Sequence, residues 1–156
     1  MAKFKPSLAI AFFTHKERYE LYSPTTAAHI QPSLVERYNG TKEGNRVAHS
    51  WLGMSKDDHI LRYLKNVLWF QWHCVARGIP YLMASVESLV RPAAFEEFRT
   101  PISSPLLALI DDRHVVRLDP SMCVDHAADR SHPGPLSNSM FADAFWEGYE
   151  RLYVAR

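Results

Sequence analysis

The sequence predicts an α/β protein, with a small, mainly parallel sheet between helices in a three-layer α/β/α arrangement. Three short apolar runs, residues 7–13, 79–84 and 114–118, have the length of buried strands. Longer segments at 55–78 and 137–153 have the apolar spacing of helices. Strands that alternate with helices favour right-handed crossovers and a parallel sheet covered on both faces.

The first third of the chain predicts one strand and a long irregular segment. Residues 7–13 are continuously apolar between Pro6 and the polar residues from Thr14 onward, which is typical of a strand buried on both faces. Residues 18–53 carry prolines and glycines without periodicity, which predicts an irregular excursion with room for one short helix. Loops of this length are usually functional or disordered.

Clearer signals follow from residue 55 onward. Ser55 and Asp58 form a capping-box pattern, and Gly78 is suited to close the helix that they start. We expect strands over 79–84 and 114–118, a short helix over 101–110, and a last helix over 137–153. The apolar positions that we assign to the two long helices are Ile60, Leu64, Val67, Leu68, Trp72 and Val75 in the first, and Phe141, Ala144, Phe145 and Leu152 in the second.

Composition limits the function classes. A chain of 156 residues fits a single domain, 1–156, and its 18 basic and 17 acidic residues give no basic footprint for nucleic-acid binding. Cys74 and Cys123 match no metal spacing and predict free thiols in a reducing compartment. The apolar run at 8–13 is short for a signal peptide or a membrane span. We therefore expect a cytoplasmic protein that binds no membrane, nucleic acid or cofactor.

The carboxyl ends of parallel strands are where ligands bind in open α/β sheets. In this chain those ends are residues 14–18, 85–88 and 119–132. The last of them contains Asp129 and His132, three residues apart just before the C-terminal helix. A carboxylate that orients an imidazole makes it a useful general base. The alternative is a loop histidine packed under the last helix.

Asp129-Arg-Ser-His132, continued by Pro133-Gly-Pro-Leu-Ser-Asn138, resembles the last conserved block of the SGNH or GDSL-type hydrolases. Residues 5–14 with Arg18 and Glu20, and then residues 77–82, are similar to two strands of SGNH-like proteins from bacteria and phages. The resemblance implies a flavodoxin-like sheet and ester hydrolysis, with His132 as base and Asp129 as its orienter. The Gly-Asp-Ser block of that family is absent, so the chain resembles a domain that lacks its first strands.

The missing serine block leaves the nucleophile open. Thr14 and Ser85 are candidates because each lies at the carboxyl end of a predicted strand. Cys123 is closer in sequence but is more typical of a small core residue. Arg18 is a candidate anchor for an anionic substrate group, with Glu17 or Glu20 as alternative partners, and Trp51 is either a substrate-binding or a packing aromatic.

Other histidines have plainer interpretations. Asp125, His126, Asp129 and His132 have residue types that bind zinc, but a surface loop is the favoured interpretation and no metal is predicted. His59 and His73 are expected to be exposed or partly buried on the long helix, and Trp69, Trp72 and Trp146 to be core or interface aromatics.

Two functions remain at this point. One is an SGNH-like hydrolase acting on the ester of an acylated sugar or lipid. The other is a non-catalytic binding or assembly module of the same fold, in a phage particle or a surface-polysaccharide pathway. The small sheet has an unprotected edge, which favours a homo-oligomer or a partner chain that covers it.

Overall fold

The computed structural model describes residues 6–13, 19–22, 27–30, 55–86, 98–130 and 132–155. Within them the strands are β1 (Ala9–Phe13), β2 (Tyr19–Tyr22), β3 (Ala27–Ile30) and β4 (Tyr81–Ser85), and the helices are α1 (Lys56–Arg77), α2 (Ser104–Leu107) and α3 (Pro135–Tyr149). A π-helical turn, Glu150–Val154, extends α3, and short 3-10 turns lie at Asp112–His114 and Pro120–Met122.

β1 and β4 form a parallel pair, in register from Ala9 opposite Tyr81 to Phe13 opposite Ser85. A mixed set of helices and strands with a small parallel sheet is compatible with the predicted α/β class. The expected third strand at 114–118 is wrong as a full strand. Val115 makes a single parallel bridge to Met83. The expected strand does not begin at His114, because the Asp111 carboxylate accepts the Arg113 N–H and starts a 3-10 turn that runs through His114.

The irregular excursion predicted for residues 18–53 is wrong in part, since β2 and β3 pair there as an antiparallel ladder. The register runs from Tyr19 opposite Ile30 to Tyr22 opposite Ala27. Strands of four residues are too short to give a periodic signal, although aromatic and aliphatic residues in 19–22 have high β propensity. The remainder of that segment lies outside the described residues.

α1 begins and ends where its local signals predict. The Ser55 hydroxyl accepts the Asp58 N–H while the Asp58 carboxylate accepts the Ser55 N–H, and Gly78 ends the helix in the left-handed region with φ of 59°. Its inward face differs by one position near the end. Gln71 and Cys74 are buried where Trp72 and Val75 were expected, and the latter two are exposed.

The buried side chains form two clusters on β4, all five residues of which are buried. Tyr81 and Met83 pack in one cluster with the inward residues of α1, whereas Leu82 and Ala84 pack in the other with residues of α3. Successive strand side chains point to opposite faces, so each helix covers a different face of β4. From α3, Phe141 and Phe145 belong to the second cluster.

β1 is not buried on both faces, which corrects the prediction for the first strand. Ala9, Ala11 and Phe13 pack on the α1 side, but Ile10 is 52% exposed and Phe12 is 40% exposed. Phe12 meets the rings of α3 only edge-on, with its centroid 6.0 Å from that of Phe141. In the part of the chain that is described, no helix is long and apolar enough to cross a membrane.

Candidate functional site

Among the described residues, β1, β4 and the segment that bridges to β4 at Val115 run in the same direction, so their carboxyl ends lie at one edge of the sheet. Phe13 and Ser85 are the last residues of β1 and β4 and are partners in the register. The segment that bridges to β4 at Val115 runs in the same direction, so residues 119–132 leave it toward that edge. This confirms that Ser85 lies at the carboxyl end of its strand.

The loop that carries Asp129 and His132 is closed on itself. His126 and Pro133 form an antiparallel bridge, and the Ala127 N–H donates to the His132 carbonyl at 2.9 Å. At the tip, Arg130 takes a left-handed conformation with φ of 56°. These contacts join His132 and Pro133 to the start of the loop at His126 and Ala127.

Asp129 holds His132 at two points. Its Oδ2 lies 2.5 Å from His132 Nδ1, and its Oδ1 accepts the His132 backbone N–H at 3.1 Å. A carboxylate at Nδ1 keeps the ring proton on that nitrogen, so Nε2 carries the lone pair. Both side chains are more than half exposed, at 65% for His132 and 51% for Asp129. The arrangement is that of an oriented general base open to solvent.

Asp125 anchors the same loop to the start of α3. Its carboxylate accepts the backbone N–H of Leu136 at 3.1 Å and of Ser137 at 2.8 Å, as a cap supplied from outside the helix. Gly134 lies directly against this carboxylate, where a Cβ would overlap it. Leu136 lies eleven positions after Asp125, so no local capping pattern could have revealed this contact.

Ser137 completes the anchor from within α3. The side chain is fully buried, and its hydroxyl accepts the N–H groups of Val124 and Asp125 at 3.0 and 3.1 Å while donating to the Asp125 carboxylate. Ser137→Ala removes the acceptor of these two N–H groups and a hydrogen bond to a carboxylate, so we expect the unfolding free energy to fall by about 2–3 kcal/mol. Urea titration would measure it. Ser139→Ala, on an exposed position of α3, is the control, and equal stability of the two variants would contradict this role.

The Asp125 carboxylate also predicts an acid-sensitive contribution to stability. Hydrogen bonds from Ser137 hold its pKa below the ordinary value. A depressed pKa in the folded state stabilises the fold above the unfolded pKa of about 3.9, and that contribution is lost as pH falls further through the folded pKa. The stability difference between wild type and Asp125→Asn should therefore shrink in thermal melts below about pH 4. A difference of constant size down to pH 2 would contradict this assignment.

Ser85 occupies a closed position. It is 1% exposed, and its hydroxyl lies 2.6 Å from that of Tyr63 on α1. A hydroxyl in this place meets a substrate only after the core rearranges, so the structure gives Ser85 a packing role in the observed conformation. The other nucleophile candidate, Thr14, and the predicted substrate-binding residues Arg18 and Trp51 lie outside the described residues.

The cysteines form no disulfide in the described residues, and the residues around Asp129 form no metal site. Cys123 is exposed rather than a core residue, Cys74 is buried, and both are free thiols; burial raises the pKa of Cys74. Among the described residues, no group of three or more histidine, cysteine, aspartate or glutamate side chains is arranged to hold a metal ion. The zinc-like pattern at 125–132 is instead divided between the helix anchor and the Asp129–His132 pair.

A second histidine with several partners, His114, lies where β4 begins and carried no signal in the sequence. His114 stacks on the Tyr81 ring with centroids 4.1 Å apart, and its Nδ1 lies 2.9 Å from the Tyr81 carbonyl. The Tyr153 hydroxyl bonds to the same backbone at 3.0 and 3.2 Å, and burial raises the pKa of Tyr81 to about 12. A carbonyl only accepts, so His114 Nδ1 donates there. These contacts fasten residues near the C-terminus to β4, and the His114 side chain is only 16% exposed, with Nε2 lying 3.7 Å from the Asp111 carboxylate.

His59 is buried on α1, which differs from the expected exposure, whereas His73 is exposed as expected. Three tryptophans were expected to be core or interface residues. All three have large exposed fractions: Trp69 at 67%, Trp72 at 52% and Trp146 at 58%.

No protein-family model, curated protein or solved structure matches this chain.

Proposed function

We propose that this protein is an SGNH-type hydrolase that cleaves the ester of an acylated sugar or lipid. The observation that carries the proposal is the contact of 2.5 Å between Asp129 Oδ2 and His132 Nδ1 in an anchored, exposed loop. The position of the loop supports it, because ligands gather at the carboxyl edge of a parallel sheet. We also propose the three-layer α/β/α arrangement of that family. The packing of α1 on one face of β4 and of α3 on the other supports it.

In the proposed reaction, His132 Nε2 takes the proton of an attacking hydroxyl as its oxygen bonds to the ester carbonyl carbon. Asp129 stabilises the imidazolium that forms. The imidazolium then gives its proton to the departing alcohol, which leaves an acyl-enzyme. Water, deprotonated by the same nitrogen, hydrolyses that acyl-enzyme and restores the hydroxyl. Hydrogen-bond donors at the site would stabilise the oxyanion of the tetrahedral intermediate.

Thr14 is the nucleophile that we favour within this chain. In the sequence it directly follows Phe13, which ends β1 at the edge of the sheet toward which the segment leading to Asp129 runs. Ser85 is the second choice because its hydroxyl is buried against Tyr63. Arg18 and Trp51 stay in the proposal as substrate-binding residues, and the free thiols support the proposed cytoplasmic setting.

A non-catalytic binding or assembly module is the second candidate. The burial of Ser85 and the absence of a Gly-Asp-Ser block from the sequence favour it. In both cases we propose a homo-oligomer or a partner chain, which the half-exposed Ile10 and Phe12 on β1 support.

Turnover of short-chain aryl esters separates the two candidates. The hydrolase should release the aryl alcohol with saturation kinetics and accumulate an acyl-enzyme in an early burst. Folded protein that hydrolyses no faster than an equal concentration of free imidazole would overturn the hydrolase and leave the binding module.

A further inference from the structure

The outward face of α1 is aromatic and basic. Trp69 is 67% exposed and Trp72 is 52% exposed, and the Trp69 ring stacks on His73 with centroids 5.3 Å apart. Lys65 is exposed one turn before Trp69. The sequence has no acidic residue from His59 to Val86. We call Lys65, Trp69, Trp72 and Ala76 the α1 stripe.

Helix geometry makes this stripe continuous. Its members are spaced by four, three and four positions, so they lie on one side of α1 over about 16 Å. Val67 and Gln71 lie on the other side and are buried. The two tryptophans therefore point away from the core. Large aromatic side chains that stay in water next to a basic residue are typical of a surface that binds a partner.

The outward face of α3 has the complementary character. Leu136 is 66% exposed and Met140 is 37% exposed, while Asp143 and Glu147 on the following turns are exposed carboxylates. No lysine or arginine occurs from Ser131 to Glu150. We call Leu136, Met140, Asp143 and Glu147 the α3 stripe. Its spacing is again four, three and four positions, which gives it the same length as the α1 stripe.

The two stripes of one chain cannot meet. α1 packs with Tyr81 and Met83, and α3 packs with Leu82 and Ala84, on opposite faces of β4. Each stripe points outward from its own helix. A partner for either one must come from another molecule, and a second copy of this chain carries a stripe of matching length and opposite charge.

We propose that the α1 stripe of one copy docks on the α3 stripe of a second copy. Trp69 and Trp72 cover Leu136 and Met140, and Lys65 faces Asp143 and Glu147 of the second copy. Aromatic residues are enriched at interface cores, and complementary charge steers association and sets the register. The contact joins different surfaces, so it is heterologous and builds a closed ring or an open filament.

Two complementary variants test this contact by sedimentation velocity. The first, Trp69→Ala with Trp72→Ala, removes the α1 stripe. The second, Asp143→Lys with Glu147→Lys, reverses the α3 stripe. Wild type should self-associate. Each variant alone should self-associate with a Kd about 30-fold higher or more, as expected for an interface hot spot. Mixed in equal amounts, the two variants should form a heterodimer and no larger species. The first keeps its α3 stripe and the second keeps its α1 stripe, so only one contact can form.

Controls separate this result from misfolding. All substituted positions are exposed, so thermal melts of the variants should match wild type. Arg117→Glu, at an exposed position outside both helices, should leave association unchanged. A monomeric wild type at every concentration would overturn the proposal. Association that survives in both variants would also overturn it, and is expected if the β1 edge forms the contact. A mixture of the two variants that yields no dimer would overturn it as well. None of these outcomes depends on ester hydrolysis.

Discussion

Replacing His132 with alanine is expected to reduce ester hydrolysis by about 10²- to 10⁴-fold, the range that general base catalysis contributes. The variant keeps the backbone contacts of the loop but has no Nε2 to take the proton of the attacking hydroxyl. The side chain is 65% exposed, so its loss should leave the thermal melt unchanged. The measurement is kcat with a short-chain aryl ester, made alongside circular dichroism.

His126 supplies a matched control for this experiment. It is also an exposed histidine, and it lies six positions earlier in the same loop. His126→Ala should keep turnover within about twofold of wild type, because surface substitutions away from the reacting groups change little. Equal losses in the two variants would mean that the loop fold, and not the His132 imidazole, carries the activity.

Exchanging Asp129 for asparagine is the second large expected effect, again about 10²- to 10⁴-fold in kcat. An amide carries no charge to stabilise the imidazolium. Its NH₂ group would also face His132 Nδ1, which then becomes the acceptor, and the ring proton moves to Nε2. The base is thereby converted into the wrong tautomer while the loop keeps its shape.

The Asp129→Asn variant has a further signature. Because the loss arises from the charge and tautomer of the pair, kcat should fall with KM nearly unchanged. Asp112→Asn, at an exposed position in a 3-10 turn, is the control and should match wild type. A variant with normal kcat and a raised KM would show that Asp129 binds substrate and does not orient the base.

The elements with local signals could be predicted from the sequence. α1 was predicted to within a residue because Ser55, Asp58 and Gly78 act on their own backbone neighbourhood. β4 was found because a fully buried strand is a continuous apolar run. The Asp129–His132 contact was also predictable, since both groups lie within one short loop.

What the sequence did not reveal depends on distant contacts. The anchor between Asp125 and Ser137 spans twelve positions and has no helix or strand period. The segment 114–118 has strand composition, but Asp111 diverts its beginning into a turn. Trp72 and Val75 were placed in the core because they are apolar, although the polar Gln71 takes the inward position by bonding Leu109 and Asp111. A buried amide with two backbone partners outweighed hydrophobicity there.

Labelling with a fluorophosphonate probe, followed by peptide mass spectrometry, tests the proposed hydrolase most directly. The probe reacts covalently with a hydroxyl that a neighbouring base has activated. We expect one labelled hydroxyl, with Thr14 as the favoured position, in wild type and in His126→Ala but not in His132→Ala. Absence of labelling in folded wild-type protein, or an equal yield in His132→Ala, would contradict it.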